Sequence, residues 1–176
     1  MHSKNAGFTI VELVVVIILL GILAATALPR FLDVDDEAHA AAVQGVTGGF
    51  QTGLSLYHAQ WIAEGAPAAN TQLAEFALLR SNAAGYPYGT ADNSGGTSNV
   101  TTSADCAAVF QGVLQGGPSI SAAASAVNST TDFTAVVAAP NCNYYYTGQF
   151  NQAGQTVPLL VYDSATGLLS VTTATL

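Results

Sequence analysis

Glu12 is the residue whose position most needs a chemical explanation. It is the single charged side chain in an otherwise apolar run from Phe8 to Leu28. An ionised carboxylate inside a membrane-spanning helix costs roughly 2.5–3.5 kcal/mol on insertion scales. The nearest basic residues, Lys4 and Arg30, lie eight and eighteen positions away. The sequence therefore predicts a cationic partner from another chain, or a new amine made by cleavage nearby. The alternative is a carboxylate that reaches the membrane surface.

Two cysteines, Cys106 and Cys142, allow one intramolecular pairing. A disulfide requires an oxidising compartment, and the alternative is a pair of buried free thiols in a cytosolic protein. The apolar N-terminal run favours the disulfide, because it would anchor the remaining chain outside the cytoplasm. The bridge would close a loop of 37 residues, counting both ends. Loop entropy then predicts a stabilisation of about 3–4 kcal/mol.

No other residue group predicts catalysis or ligand binding. The acidic residues between 33 and 37 lack the turn glycine and the ligand spacing of a calcium loop. No Ser/His/Asp arrangement has a supporting motif. Beyond residue 4 the chain has two arginines and no lysine, too few for the basic patch that nucleic-acid binding needs. We therefore expect a protein that is not an enzyme and has no cofactor, no metal and no nucleic-acid partner.

The apolar run is long enough to cross a membrane. Its 21 residues would form a helix of roughly 31 Å, close to the thickness of a bilayer core. Seven residues precede it, with one lysine. This arrangement predicts an uncleaved signal anchor whose N-terminus lies in the cytoplasm.

The helix is predicted to continue beyond Pro29 with a different pattern. From Phe31 to about Glu64 apolar residues recur at steps of three or four, which is typical of an amphipathic helix, and Gly65-Ala66-Pro67 would end it. This stretch contains four glycines, and each costs up to about 1 kcal/mol relative to alanine. Either they allow close approach of another element, or tertiary packing tolerates them. They are Gly45, Gly48, Gly49 and Gly53.

The remaining residues predict a small head. We expect short helices over 71–80 and 106–115, a turn over 85–90, and strands over 133–138, 142–149, 157–163 and 168–173. A long helix followed by antiparallel strands places the chain in the α+β class. Its 176 residues allow about one domain with an appendage. The net charge of −8 comes with only 8% charged residues, against about 25% in an average protein, so most of the polar surface must be uncharged.

The segment Gly7-Phe8-Thr9-Ile10-Val11-Glu12-Leu13 resembles the processing motif of type IV prepilins. The resemblance implies that a prepilin peptidase cuts between Gly7 and Phe8 and methylates the new amine of Phe8. It implies that Glu12 pairs with the N-terminal amine of a neighbouring subunit during assembly. It also implies local unwinding at Gly21 and Pro29 within the filament.

The resemblance extends into the head. The segments GYPYGT, CAAVFQGVLQ and CNYYYT are similar to the mannose-sensitive haemagglutinin group of type IV pilins. This implies a leader at 1–7, a transmembrane and filament-core helix at 8–29, its amphipathic continuation at 30–65 and a head at 66–176 with a Cys106–Cys142 bridge.

The function implied is that of a pilus subunit that polymerises with copies of itself for adhesion. It would start as an inner-membrane precursor, handled by the pilus assembly machinery, and end outside a Gram-negative cell. The alternatives are a pseudopilin of a type II secretion or DNA-uptake system and a monomeric anchored binding protein.

Overall fold

The computed structural model describes residues 7–76, 78–90, 99–123 and 130–176, with the backbone alone over 28–35. It contains a long helix, a second helix and two sheets, which confirms the α+β class. Helix α1 spans Ile10–Ala63 and helix α2 spans Ser103–Val113, with a short 3-10 helix at Ala74–Phe76 between them. Residues 1–6, most of the predicted leader, lie outside the described residues.

Helix α1 is continuous over its 54 residues, including Gly21 and Pro29. The unwinding expected at these two positions concerns the assembled filament, so it stays a prediction. The chain divides into two compact units, one ending at Ala40 and one from Ala41 to Leu176. The second unit therefore includes the C-terminal part of α1 together with the head.

The part of α1 in the second unit buries one apolar face. Phe50, which has no exposed surface, lies at the centre of an aromatic cluster. Its ring centroid is 5.6 Å from that of Phe110, 5.5 Å from that of Tyr144 and 5.7 Å from that of Tyr162. Tilted and edge-on aromatic pairs at such distances add to the stabilisation from burial. The buried apolar side chains of this face are Val43, Phe50, Leu54 and Tyr57.

The glycines of α1 differ in what surrounds them. A Cβ atom added to Gly53 would lie 2.5 Å from the side chain of Val113 and 2.7 Å from its carbonyl oxygen. Close approach of α2 therefore explains Gly53, and Gly49 lies near Leu114 in the same way. Cβ atoms at Gly45 and Gly48 would meet nothing within 4 Å. Both expectations for the glycine-rich stretch thus hold, each at different positions.

The main sheet has five strands in the order β3-β4-β5-β6-β7. The last four strands form the predicted antiparallel meander, and β3 adds a short parallel pair with β4 that the sequence did not predict. The strands are β3 Ile120–Ala122, β4 Phe133–Ala138, β5 Asn141–Tyr146, β6 Thr156–Asp163 and β7 Leu169–Thr175.

Pro158 lies within the central strand β6, where proline is normally disfavoured because it cannot donate a ladder hydrogen bond. The amide of Ser164, just after β6, donates to the carbonyl of Pro140, just before β5. Because an antiparallel ladder alternates, the backbone N–H and C=O groups of even-numbered β6 residues are directed toward β5. The pairing of β5 with β6 stops at Tyr145 and Leu159, one residue before Pro158. The N–H that Pro158 lacks would face Tyr146 of β5, so the proline lies where this ladder ends.

Two local predictions were wrong. The segment 71–80 forms only a 3-10 turn, because Gln72 bridges to Arg80 and the amide of Ser81 donates to the carbonyl of Thr71. Two strands form instead: β1 is Arg80–Ser81 and β2 is Pro87–Gly89. They pair antiparallel, so the second half of the predicted 85–90 turn is a strand.

The predicted helix over 106–115 is confirmed as α2, but it begins three residues earlier. Thr102 caps it: its hydroxyl accepts a hydrogen bond from the amide of Asp105 at 3.1 Å. The Asp105 carboxylate accepts the amide of Thr102 in return at 3.0 Å. This reciprocal arrangement satisfies backbone donors that a helix end leaves unpaired and fixes where α2 starts.

Candidate functional site

The predicted cleavage point lies in an extended, exposed segment just before α1. Gly7 and Phe8 precede the first helical residue, Ile10, and the Phe8 side chain is 89% exposed. A Cβ atom at Gly7 would meet nothing within 4 Å, and Gly7 is not among the residues with positive φ. Among the residues that the structure describes, neither packing nor backbone conformation therefore requires glycine at position 7.

Glu12 has hydrogen-bond donors within its own chain. The backbone amide of Thr9 and the Thr9 hydroxyl both donate to Glu12 Oε2 at 2.9 Å. The amide of Glu12 donates to the Thr9 hydroxyl oxygen at 3.2 Å. Thr9 and Glu12 thus form a capping box at the start of α1. These donors are uncharged, whereas the sequence predicts a cationic partner for Glu12; the Thr-x-x-Glu spacing identifies the capping box.

The helix that follows this box is apolar on every side. Ile10–Ala27 has a mean hydropathy of 2.8 over 18 residues and buries none of them within the chain, so by length and composition it could cross a membrane. Thr26, a polar residue near its end, donates its hydroxyl to the carbonyl of Leu23 at 3.0 Å. Its polarity is thereby satisfied inside the helix. Glu12 is the single charged side chain on this otherwise apolar segment.

Cys106 and Cys142 are joined by a disulfide with a Cα–Cα distance of 5.4 Å. Cys106 lies in α2 and Cys142 in β5, and both are fully buried. The Tyr144 hydroxyl donates to the carbonyl of Cys106 at 3.0 Å, so a hydrogen bond adds to the same helix–sheet contact. Burial raises the pKa of Tyr144 well above its ordinary value, which keeps this donor protonated.

The run Tyr144-Tyr145-Tyr146 has a packing explanation. Along β5 the residues alternate between buried and half-buried, so Tyr144 and Tyr146 are buried while Tyr145 lies on the other face. The centroid of Tyr144 is 5.1 Å from that of Phe110, and Tyr146 is 5.2 Å from Phe133. Aromatic enrichment of a half-buried strand therefore accounts for the run.

Residues 2–28 match the family described as "Prokaryotic N-terminal methylation motif". The match contains the exposed Gly7-Phe8 bond, the Glu12 capping box and the apolar helix in one stretch.

Two curated proteins are similar to part of the chain. It is 39% identical over 67 residues to "Type IV narrow pilus major component PilA5" of Thermus thermophilus, covering 38% of this chain and 54% of that protein. It is 33% identical over 56 residues to "Type II secretion system core protein G" of Pseudomonas aeruginosa, covering 32% of this chain and 39% of that protein. The chain thus spans about half the length of the first relative, and less of the second. No solved structure matches.

These similarities support the pilin family, and they point to a structural subunit rather than an enzyme. They do not separate a pilus subunit from a secretion pseudopilin, since one relative of each kind is found. They also do not confirm the haemagglutinin group that the head segments resemble.

Proposed function

We propose that this chain is the structural subunit of a type IV pilus and polymerises into an extracellular filament. One observation carries the proposal: apart from Glu12, the helix Ile10–Ala27 is apolar all round, it buries none of its residues among those that the structure describes, and it lies within the match to the N-terminal methylation motif. Such a surface needs lipid in the precursor and other subunits after extraction from the membrane. The disulfide-closed head fits a destination outside the cytoplasm.

Maturation would cut the chain between Gly7 and Phe8. Phe8 is exposed, and the described residues give position 7 no packing or conformational need for glycine. Recognition by a prepilin peptidase accounts for the glycine, because a side chain there would meet the enzyme. Methylation of the Phe8 amine would follow. A Gly7→Leu variant should keep its leader, and N-terminal sequencing that still starts at Phe8 would contradict the assignment.

Glu12 would then direct assembly by pairing with the Phe8 amine of a neighbouring subunit. The capping box already supplies two hydrogen bonds to the carboxylate but no opposite charge. A cation would offset the cost of burying the carboxylate among apolar helices. One stagger of neighbouring helices brings the two charges together, so the pair would also set the axial register.

Substitutions of Thr9 and of Glu12 separate the assembly role of Glu12 from its capping role. Thr9→Ala removes the capping hydroxyl and keeps the charge, whereas Glu12→Gln keeps a hydrogen-bond acceptor and removes the charge. We expect Thr9→Ala cells to form filaments and Glu12→Gln or Glu12→Val cells to form few or none, at equal levels of processed subunit. Electron microscopy of the cell surface gives the readout. Equal piliation of Thr9→Ala and Glu12→Val cells would remove the assembly role.

A pseudopilin of a type II secretion system is the second candidate, favoured by the similarity to a core protein of such a system. Deletion of the gene separates the two functions. Loss of surface filaments with normal protein secretion supports the pilus, while normal filaments with blocked secretion support the pseudopilin. A monomeric anchored protein would give neither defect, and purified mature protein would then show no filaments.

Adhesion in the manner of the mannose-sensitive haemagglutinins is the finer part of the proposal, and it rests on the head segments alone. It implies a Gram-negative cell with the precursor in the inner membrane. Purified filaments should agglutinate red cells, and mannose should inhibit the agglutination. Filaments that form but do not agglutinate would leave a pilus without this activity.

A further inference from the structure

Strand β7 forms an open edge of the main sheet. It is the outermost strand in the part of the chain that the structure describes, and it pairs with β6 alone. The pairing is regular from Thr156–Thr175 to Tyr162–Leu169, with no bulge. The opposite edge strand, β3, has three residues against seven in β7. β7 is therefore the long free edge of this sheet.

The hydrogen-bonding groups at this edge follow from the ladder. The amide of Asp163 donates to the carbonyl of Leu168, and the amide of Leu176 donates to that of Gln155. Antiparallel ladders alternate, so even-numbered residues of β7 bond to β6 and odd-numbered residues direct their N–H and C=O groups outward. The outward-facing residues are Leu169, Val171, Thr173 and Thr175.

This edge lacks the features that usually prevent strand pairing. Such features are charged side chains, proline, bulges or a very short strand. The sequence LSVTTAT has no charge and no proline. Val171 is 54% exposed, and Leu168, just before the strand, is 68% exposed. β7 combines β-branched residues with an accessible backbone, which favours the addition of another strand.

We propose that β7 pairs with β7 of a second copy of this chain, antiparallel and centred on Thr172. In that register Val171 lies opposite Thr173 of the second copy, and Leu169 opposite Thr175. All outward-facing residues then meet outward-facing residues. The two edges would form about eight backbone hydrogen bonds, two for each outward-facing residue.

The β7 edge of a second copy matches this edge, because it is the same uncharged strand with outward-directed N–H and C=O groups. The whole chain carries −8, so two copies repel wherever their acidic surfaces meet. β7 is an uncharged strand, and the symmetric register brings only β7 residues against each other. A basic partner peptide would find no acid on this strand. The proposal does not rest on the filament function, since it needs only the head.

Thiol cross-linking in the full-length chain, solubilised in detergent micelles, tests the register. Directly opposed residues that do not exchange hydrogen bonds have Cα atoms about 4.5 Å apart, within the range that a disulfide spans. Thr172 would face Thr172 in this way. Thr175 is exposed on the same strand and serves as the control. In this register it lies opposite Leu169 of the second copy, so the two Thr175 residues are separated by six residues of strand, about 20 Å. The native cysteines are bridged to each other, so no free thiol competes.

Under mild oxidation we expect Thr172→Cys to form a covalent dimer at least tenfold faster than Thr175→Cys. Both variants carry the same apolar helix, so association through that helix affects them equally. Equal cross-linking rates for the two variants would overturn the proposal.

A proline variant then tests the backbone contacts. Thr173→Pro removes an outward N–H and no bond to β6, so in the Thr172→Cys background it should abolish cross-linking with the unfolding temperature unchanged. If this variant unfolds, Val171→Lys replaces it and should give the same loss by placing a charge at the edge. Persistent cross-linking in a folded Thr173→Pro or Val171→Lys background would show that β7 does not pair.

Discussion

The two ends of α1 belong to one continuous helix, but their apolar side chains have opposite environments. From Ile10 to Ala27 large apolar side chains lie on every side and none is buried. From Ala41 onwards one apolar face is buried against α2 and the sheet, with Phe50 at its centre. In the second part the chain supplies its own partner. In the first part the partner must come from outside.

The difference shows what an apolar pattern can reveal. A stripe at steps of three or four predicts burial on one side, and the head supplies it. An all-round apolar helix predicts burial on every side, which the described residues of this chain do not provide. The same residue types therefore stabilise the fold in one region and stay exposed in the other.

The largest effect should come from truncating one large apolar residue in each part of α1 and comparing the two variants. Phe50→Ala removes a fully buried ring from the aromatic cluster and should cost about 3–5 kcal/mol of head stability. Leu20→Ala removes an exposed side chain and should change head stability by less than about 0.5 kcal/mol. Denaturant unfolding of the full chain in detergent, followed by near-ultraviolet circular dichroism, measures both. Similar losses for the two variants would contradict the division.

Removing the disulfide should affect the head region alone. The double variant Cys106→Ala/Cys142→Ala loses the constraint on the unfolded chain, worth about 3–4 kcal/mol in the loop-entropy account. We expect the tertiary signal of the head to melt earlier while the helical signal of the apolar part is unchanged. Mass spectrometry without reductant should find no free thiol in the wild type. Ready alkylation of both cysteines in the native wild-type protein would refute the bridge.

Two glycines of α1 should respond oppositely to the same substitution. Gly53→Ala places a methyl group against Val113 and should destabilise the head by about 1–3 kcal/mol. Gly48→Ala meets nothing and should stabilise the helix by up to about 1 kcal/mol. Thermal unfolding of both variants decides. A destabilising Gly48→Ala would contradict the open space beside Gly48.

The smallest effect concerns the acid just beyond the C-terminal end of α1. The Gln60 side chain donates to Glu64 Oε1 at 2.7 Å, and the backbone amide of Ala74 donates to the same oxygen at 3.0 Å. These hydrogen bonds hold the pKa of Glu64 below its ordinary 4.5. A carboxyl group whose pKa is lower in the folded state than in the unfolded state stabilises the fold at pH values above its unfolded pKa. This stabilisation is lost as the pH falls through the folded pKa. Between pH 7 and about pH 3 the wild type should therefore lose slightly more stability than Glu64→Gln. An identical pH profile for the two proteins would remove this contribution.

The elements predicted correctly from sequence have strong periodic patterns. The strands around Tyr144 and Leu160 and the helix containing Phe110 alternate or repeat over six or more residues. β3 was missed because Ile120–Ala122 is three residues long and depends on a distant partner, Phe133. Local sequence carries little information about such a pair.

The wrong helix over 71–80 has a similar cause. Leu73, Phe76 and Leu79 recur at steps of three, which is a helical spacing, and the two leucines are buried. The backbone folds back between them, as the Gln72–Arg80 bridge shows. Tertiary contacts with the core therefore override the local preference. Of the candidate site, the sequence predicts Gly7, Phe8 and Glu12 by their type and spacing. The Thr9 cap was not predicted, because its donors are uncharged groups next to a carboxylate for which a cation was expected.

The bridge between Cys106 and Cys142 also decides what a single cut does to the chain. Residues 107–141, which include β3 and β4, lie inside the covalent ring that it closes. Hydrolysis of any one peptide bond in this ring opens it but leaves both fragments attached through sulfur. The segment from residue 143 onward, with β6 and β7, would remain tied to α2 and through it to the anchoring helix. If a protease cut one peptide bond within this ring, the strands after the cut would stay covalently attached to the rest of the chain. If it cut after residue 142, only hydrogen bonds and packing would hold the severed strands in place.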